Sequence, residues 1–129
     1  MEVRRCRTPI RSYLTGAARC TKDDLESLGY MLVYFLSGKL PWQGLKADSW
    51  DEKRELILQK KRQTSVDALC DGLPEGIRRY MELVRALRDD EQPDYGSLRR
   101  LFRATVKGHG LAWDRIYDWE ERVYAQGEV

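Results

Sequence analysis

Side chains that could carry out chemistry are few in this sequence, and they are isolated from one another. The single histidine, His109, stands between two glycines with no cysteine or carboxylate at ligand spacing, which favours an exposed loop residue over a metal ligand. The three cysteines, Cys6, Cys20 and Cys70, are odd in number and widely spaced, so they predict reduced thiols rather than a disulfide framework or a CxxC metal site. We expect no metal centre.

A second group that could do chemistry is a run of cations on one predicted helix. Such a run can form an anion-binding patch or a nuclear-localisation signal. Glu52 and Glu55 are interleaved with the cations, which favours the simpler interpretation of a solvated charged face. The cations are Lys53, Arg54, Lys60, Lys61 and Arg62.

The composition is that of an ordinary globular domain. The chain has 129 residues, of which 42% are hydrophobic and 34% charged, and its formal net charge is +2. This nearly balanced charge gives no support for a nucleic-acid or membrane partner, and the longest apolar run, 31–36, is too short to span a bilayer. The length predicts one domain. Reduced cysteines and the lack of a secretory signal predict a location in the cytoplasm or nucleus.

Capping residues and helical periodicity predict a mainly α chain. Ser49 followed by Glu52 forms a capping-box pattern, and Pro74 and Pro93-Asp94 stand where further helices begin. No stretch alternates with period two for long enough to form a strand. Shorter helices are predicted at 65–70 and 113–124.

The most apolar helix is predicted at 24–37. Asp23 or Asp24 is placed to cap its N-terminus, and Gly38 is placed to end it. After Leu28 the segment is apolar almost all round, which is typical of a helix in the middle of a core. We therefore expect the other helices to pack around it.

This helix belongs to a longer motif. Residues 22–47 read KDDLESLGYMLVYFLSGKLPWQGLKA, which resembles the central helix and the following loop of casein kinase 1 catalytic domains. LTGAAR at 14–19, ALRDDEQPDYGSLRRLFR at 86–103 and YDWE at 117–120 are similar to further motifs of that family. The resemblance implies a helical fragment like a protein-kinase C-terminal lobe, built around a central buried helix.

The residues that a kinase needs for catalysis are absent from this sequence. Glycine follows the single histidine, and the two phenylalanines follow tyrosine and leucine, so neither HRD nor DFG occurs. There is no Gly-rich phosphate loop, and two residues separate LTGAAR from Lys22, where the family has its substrate-docking loop. Without these motifs, phosphoryl transfer lacks a catalytic base, a ligand for the metal ion and groups that stabilise the charge of the transition state. We expect no enzyme activity from this chain and no bound ATP or magnesium, the cofactors that the family uses.

The resemblance also implies roles for particular residues. Arg19 and Lys53 match an arginine and a lysine with which the family binds an anion, and Gly44 shapes the loop between them. They imply affinity for acidic or phosphorylated peptide, with unpaired surface charge as the alternative. Asp24 resembles an aspartate that anchors the catalytic loop, and without that loop it keeps a capping role. Trp42 is expected to be structural.

Three functions follow from these observations. The first is a non-catalytic C-lobe fragment that binds a protein partner or self-associates through apolar surface left uncovered on the central helix. The second is a partial sequence of an active casein kinase 1-like serine/threonine kinase. The third, a helical nucleic-acid-binding module, lacks both a recognition motif and basic charge.

The domain organisation follows from the same comparison. Residues 1–21 are expected to be a loop that is the remnant of an activation segment. Residues 22–124 form the helical domain, and 125–129 are a tail.

Overall fold

The chain is mainly helical, as predicted. The computed structural model describes residues 20–112 and 115–125, with side-chain surroundings up to residue 121. Within these ranges it contains helices and no strand. The predicted loop 1–21 and the tail lie largely outside the described residues. The helices are α1 (Thr21–Ser37), α2 (Trp50–Gln63), α3 (Val66–Leu69), α4 (Glu75–Ala86), α5 (Tyr95–Gly108) and α6 (Asp118–Ala125).

The helix starts are held by the polar residues that the sequence places there. The Ser49 hydroxyl accepts a hydrogen bond from the Glu52 N–H at 3.2 Å, as the capping box predicts. The Glu52 carboxylate accepts its hydrogen bond from the Asp48 N–H, at 3.0 Å, and not from the Ser49 N–H. Asp94 caps α5 by accepting from the Ser97 N–H at 2.9 Å. Local sequence is therefore sufficient to place these two helix starts.

The start of α1 differs from the expectation. The N-cap is Cys20, three residues before the acidic pair, and the buried Asp23 carboxylate accepts from the Cys20 N–H at 3.0 Å. Asp24 is exposed, one position further into the helix, and does not cap it. At the other end Gly38 adopts a left-handed φ of 78° and donates its N–H to the Tyr34 carbonyl at 2.8 Å.

The helix α1 is buried on one side only, which differs from the expectation of a helix surrounded by core. Glu26, Gly29, Tyr30 and Val33 are buried on one face. Phe35, on the opposite face, is 66% exposed. The reason is that α4 packs along one side of α1, whereas the described residues place no second layer on the other.

The helix on which others pack is α4, which contacts α1, α3 and α5. Two glycines allow α4 to pack closely against α1 and α5. A Cβ on Gly29 of α1 would lie 3.1 Å from Cε1 of Tyr80, and a Cβ on Gly76 of α4 would lie 2.9 Å from the Cβ of Thr105 on α5. Because a side chain at either position would push the helices apart, glycine sets the helix spacing.

A lysine joins α1 to the C-terminal end of α4. Lys22 donates from Nζ to the carbonyls of Leu87 at 2.6 Å and Arg85 at 3.1 Å. These carbonyls lack partners within their own helix, and the positive charge is favourable at the negative end of the helix dipole. The contact therefore stabilises the register of α1 against α4.

Candidate protein-binding surface

An apolar stripe runs along the outer side of α1. Leu28, Met31 and Phe35 follow one another at intervals of three and four residues, so they share one face of the helix. Leu28 is 37% exposed, Phe35 is more exposed still, and Leu36 beside them is also exposed. We call Leu28, Met31 and Phe35 the α1 apolar face. Large apolar side chains grouped in this way on a surface are typical of a docking site.

Behind this face, the buried side of α1 holds a polar network. The Tyr30 hydroxyl donates to Oε1 of Glu26 at 2.6 Å. Arg85 of α4 donates from Nη2 to the Tyr30 oxygen at 3.3 Å and from Nη1 to the Thr64 carbonyl at 3.4 Å. Nε of Arg85 lies 4.0 Å from the same Glu26 oxygen. The network links the buried side of α1 to α4, so the α1 apolar face is directed outward.

Lys61 is fully buried beside this network, which the sequence did not indicate. Its Nζ lies 5.5 Å from the centroid of the Tyr30 ring and 5.2 Å from that of the Trp42 ring. The two rings meet edge to face with centroids 5.0 Å apart. A cation held over aromatic rings is stabilised by their quadrupoles, so Lys61 is a structural part of the core. Lys61 is four residues after Ile57, so helical spacing puts both on the buried side of α2. This spacing was the feature of the sequence that could have indicated its burial.

Burial also decides the protonation of the core hydroxyl and thiol groups. Burial, followed by the charge of Glu26, raises the pKa of Tyr30 well above its usual range. Burial raises the pKa of Tyr80 to about 12 and that of Cys70 to about 11. These groups are therefore neutral at physiological pH, and Cys70 lacks the thiolate character of a reactive nucleophile.

The predicted anion-binding residues are only partly within the described chain. Arg19 lies outside it. Gly44 occupies an exposed turn between α1 and α2 with a φ of 74°, a conformation that favours glycine. Lys53 lies in the first turn of α2, with Nζ 5.9 Å from the centroid of the Trp50 ring. This contact is with a residue of its own helix, and the anion site stays a prediction.

Other expected features can be placed more simply. Trp42 is 1% exposed and belongs to the core, as expected, whereas Trp50 in the first turn of α2 is 63% exposed. His109 is exposed, with Nδ1 2.8 Å from the Thr105 carbonyl. Among the described residues no group of three metal-ligating side chains comes together. No helix in the described part of the chain is long and apolar enough to cross a membrane.

No protein-family model matches this chain. The resemblance to casein kinase 1 stays a prediction from the sequence motifs.

Proposed function

We propose that this chain is a non-catalytic fragment, resembling the C-terminal lobe of a casein kinase 1-type kinase, that acts by binding a protein partner through the α1 apolar face. The observation that carries the proposal is the exposure of Leu28 and Phe35 on a helix whose opposite side is core. The motif at 22–47 supports the kinase relationship, and the missing HRD and DFG motifs support a role without phosphoryl transfer.

The chemistry of the face indicates the kind of partner. Burying each large apolar side chain gains about 1.5–3 kcal/mol, so covering Leu28, Met31 and Phe35 supplies a useful driving force for association. The face carries no cation within the stripe, so electrostatic steering contributes little. A complementary apolar helical surface fits it best. In a complete kinase lobe, the resemblance implies that the preceding half of the lobe supplies such a surface.

Dye binding and substitution test this proposal. The purified chain is expected to enhance the fluorescence of a hydrophobic dye, and the double variant Leu28→Gln, Phe35→Gln is expected to lose most of that signal while keeping its helical circular dichroism. Exposed positions tolerate such changes within about 0.5 kcal/mol, so the fold should persist.

Leu83→Gln provides the matched control, because Leu83 on α4 is 38% exposed and Leu28 is 37% exposed. The control should leave dye binding unchanged. A wild-type chain that binds no dye, or a double variant that binds it as strongly as the control, would contradict the proposed use of this face.

The alternative is that the sequence is part of an active casein kinase 1-like enzyme. In either case we expect the 129-residue chain itself to transfer no phosphate from ATP to casein or to an acidic peptide, because its sequence contains no catalytic base, metal-binding DFG aspartate or phosphate loop. The measurement is incorporation of labelled γ-phosphate against a blank without protein. Incorporation proportional to chain concentration would overturn the non-catalytic assignment. A longer transcript with HRD and DFG in frame would favour the alternative.

A further inference from the structure

A groove of about 770 Å³ lies along α5, and Leu111 and Arg115 also line it. Its polar walls are four cations. Arg99, Arg103 and Lys107 are spaced four residues apart and so form one row along α5, and Arg115 faces them from the following segment. The volume is in the range of sites that hold a drug-sized ligand or a short peptide.

Among the residues that the structure describes, these four cations make no ion pair. None of them has a carboxylate oxygen within 4.0 Å among the described residues. Along α5 itself, which carries Arg99, Arg103 and Lys107, the sequence from 95 to 108 contains no aspartate or glutamate. Arg78 on α4, by contrast, is paired with Glu75, Asp67 and Glu82. The groove therefore carries concentrated positive charge in a chain whose overall charge is nearly balanced.

Between the cations, the floor of the groove is apolar. Phe102, Val106 and Leu111 line it. The Phe102 ring is held in place by the Tyr80 ring, with centroids 5.1 Å apart. A groove with an apolar floor and cationic edges fits an extended or helical segment that carries both aromatic and acidic side chains.

The chain itself contains such a segment. Residues 116–121 read IYDWEE, and we call them the acidic aromatic segment. The rings of Tyr117 and Trp119 are stacked, with centroids 4.5 Å apart and an interplanar angle of 7°. Trp119 is 64% exposed, and Asp118 and Glu121 have no cationic partner among the described residues. The segment thus carries the aromatic and acidic side chains that fit the groove, but it is exposed in its own chain.

We propose that the groove on α5 binds the acidic aromatic segment of a second copy of this chain. Tyr117 and Trp119 of one copy cover Phe102 and Leu111 of the other, and the carboxylates of the segment pair with the arginines and lysine at the edges. Each copy offers both a groove and a segment, so two copies can exchange segments symmetrically and close the assembly. This interface uses helices other than α1, so it is independent of the proposed partner-binding face.

Sedimentation velocity across a range of concentrations tests the proposal, in the Leu28→Gln, Phe35→Gln background so that the α1 apolar face makes no contribution. We expect a monomer–dimer equilibrium that weakens at high salt, because its charges are exposed. The groove variant Arg103→Glu, Lys107→Glu and the segment variant Asp118→Lys, Glu121→Lys should each dimerise at least about tenfold more weakly. Loss of about 1.4 kcal/mol is enough for that change.

Mixing the two variants is the decisive arm. Each restores the charge complement of the other, so the mixture should form a heterodimer at concentrations at which neither variant dimerises appreciably alone. Lys60→Glu, Arg62→Glu on the exposed side of α2 is the control and should dimerise as the parent does. A chain that stays monomeric at all concentrations overturns the proposal. So does dimerisation that survives both charge reversals, or a mixture that remains monomeric.

A peptide arm keeps the test valid even if a variant folds poorly. A labelled peptide of sequence IYDWEE should bind the parent chain and raise its fluorescence anisotropy, and the neutral peptide IYNWQQ should bind at least about tenfold more weakly. Equal binding of the two peptides would show that the cations of the groove are not used.

Discussion

Replacing Trp42 with alanine is expected to lower the free energy of unfolding by about 3–5 kcal/mol, the usual cost of removing a buried tryptophan. The indole is 1% exposed, meets Tyr30 edge to face and lies 5.2 Å from Nζ of Lys61. Its loss therefore leaves a large cavity and takes one of two aromatic rings away from a buried ammonium group. Domains of this size have a margin of about 5–15 kcal/mol, so the variant should be close to unfolding.

Denaturant unfolding followed by circular dichroism measures this effect. The control is Trp50→Ala, which removes the same side chain from a position that is 63% exposed on α2. It should cost less than about 1 kcal/mol, because exposed substitutions remove little burial. Similar losses for the two variants would mean that the loop carrying Trp42 does not pack on α1 as described.

Replacing Gly76 with alanine is expected to lower the free energy of unfolding by about 1–3 kcal/mol, the usual cost of overpacking a core. The new Cβ would overlap the Thr105 side chain, lying 2.9 Å from its Cβ and 3.0 Å from its Cγ2. Thr105 is β-branched and its hydroxyl donates to the Leu101 carbonyl at 2.8 Å, so it has little freedom to turn away. The clash therefore separates α4 from α5.

A double variant distinguishes this clash from other effects of the substitution. Thr105→Ala removes the two branches, so Gly76→Ala combined with Thr105→Ala should be destabilised by less than the sum of the two single changes. Gly108→Ala at the end of α5 is the matched control, because nothing lies within 4 Å of its added Cβ. It should be neutral or stabilising by up to about 1 kcal/mol, since alanine favours a helix. Strict additivity in the double variant would exclude the steric explanation.

The sequence alone was sufficient to predict the helical class and most helix starts. Ser49 and Asp94 bond the backbone of their own first turns, and such contacts span three residues, so they need no tertiary partner. Gly38 ends α1 for the same kind of local reason, since its left-handed conformation satisfies a carbonyl four residues back. The sequence could not predict the start of α1, because Cys20 is an uncommon cap and a more usual acidic one stood nearby. The last helix also begins later than predicted, at Asp118 rather than at 113.

Which side of each helix is covered was decided only by the tertiary structure. The composition of α1 is apolar on both sides, so its sequence could not show that Tyr30 is buried and Phe35 exposed; that depends on where α4 packs. Lys61 belonged to a run of cations that favoured a solvated face, yet its ammonium group is buried over two aromatic rings supplied by other parts of the chain. Local hydrogen bonds can be read from neighbouring residues, whereas burial is a property of contacts between distant ones. The α1 apolar face and the groove on α5 are consequences of that packing. The resemblance implied uncovered apolar surface on the central helix, but which side is uncovered, and the existence of the groove, depend on contacts between distant residues.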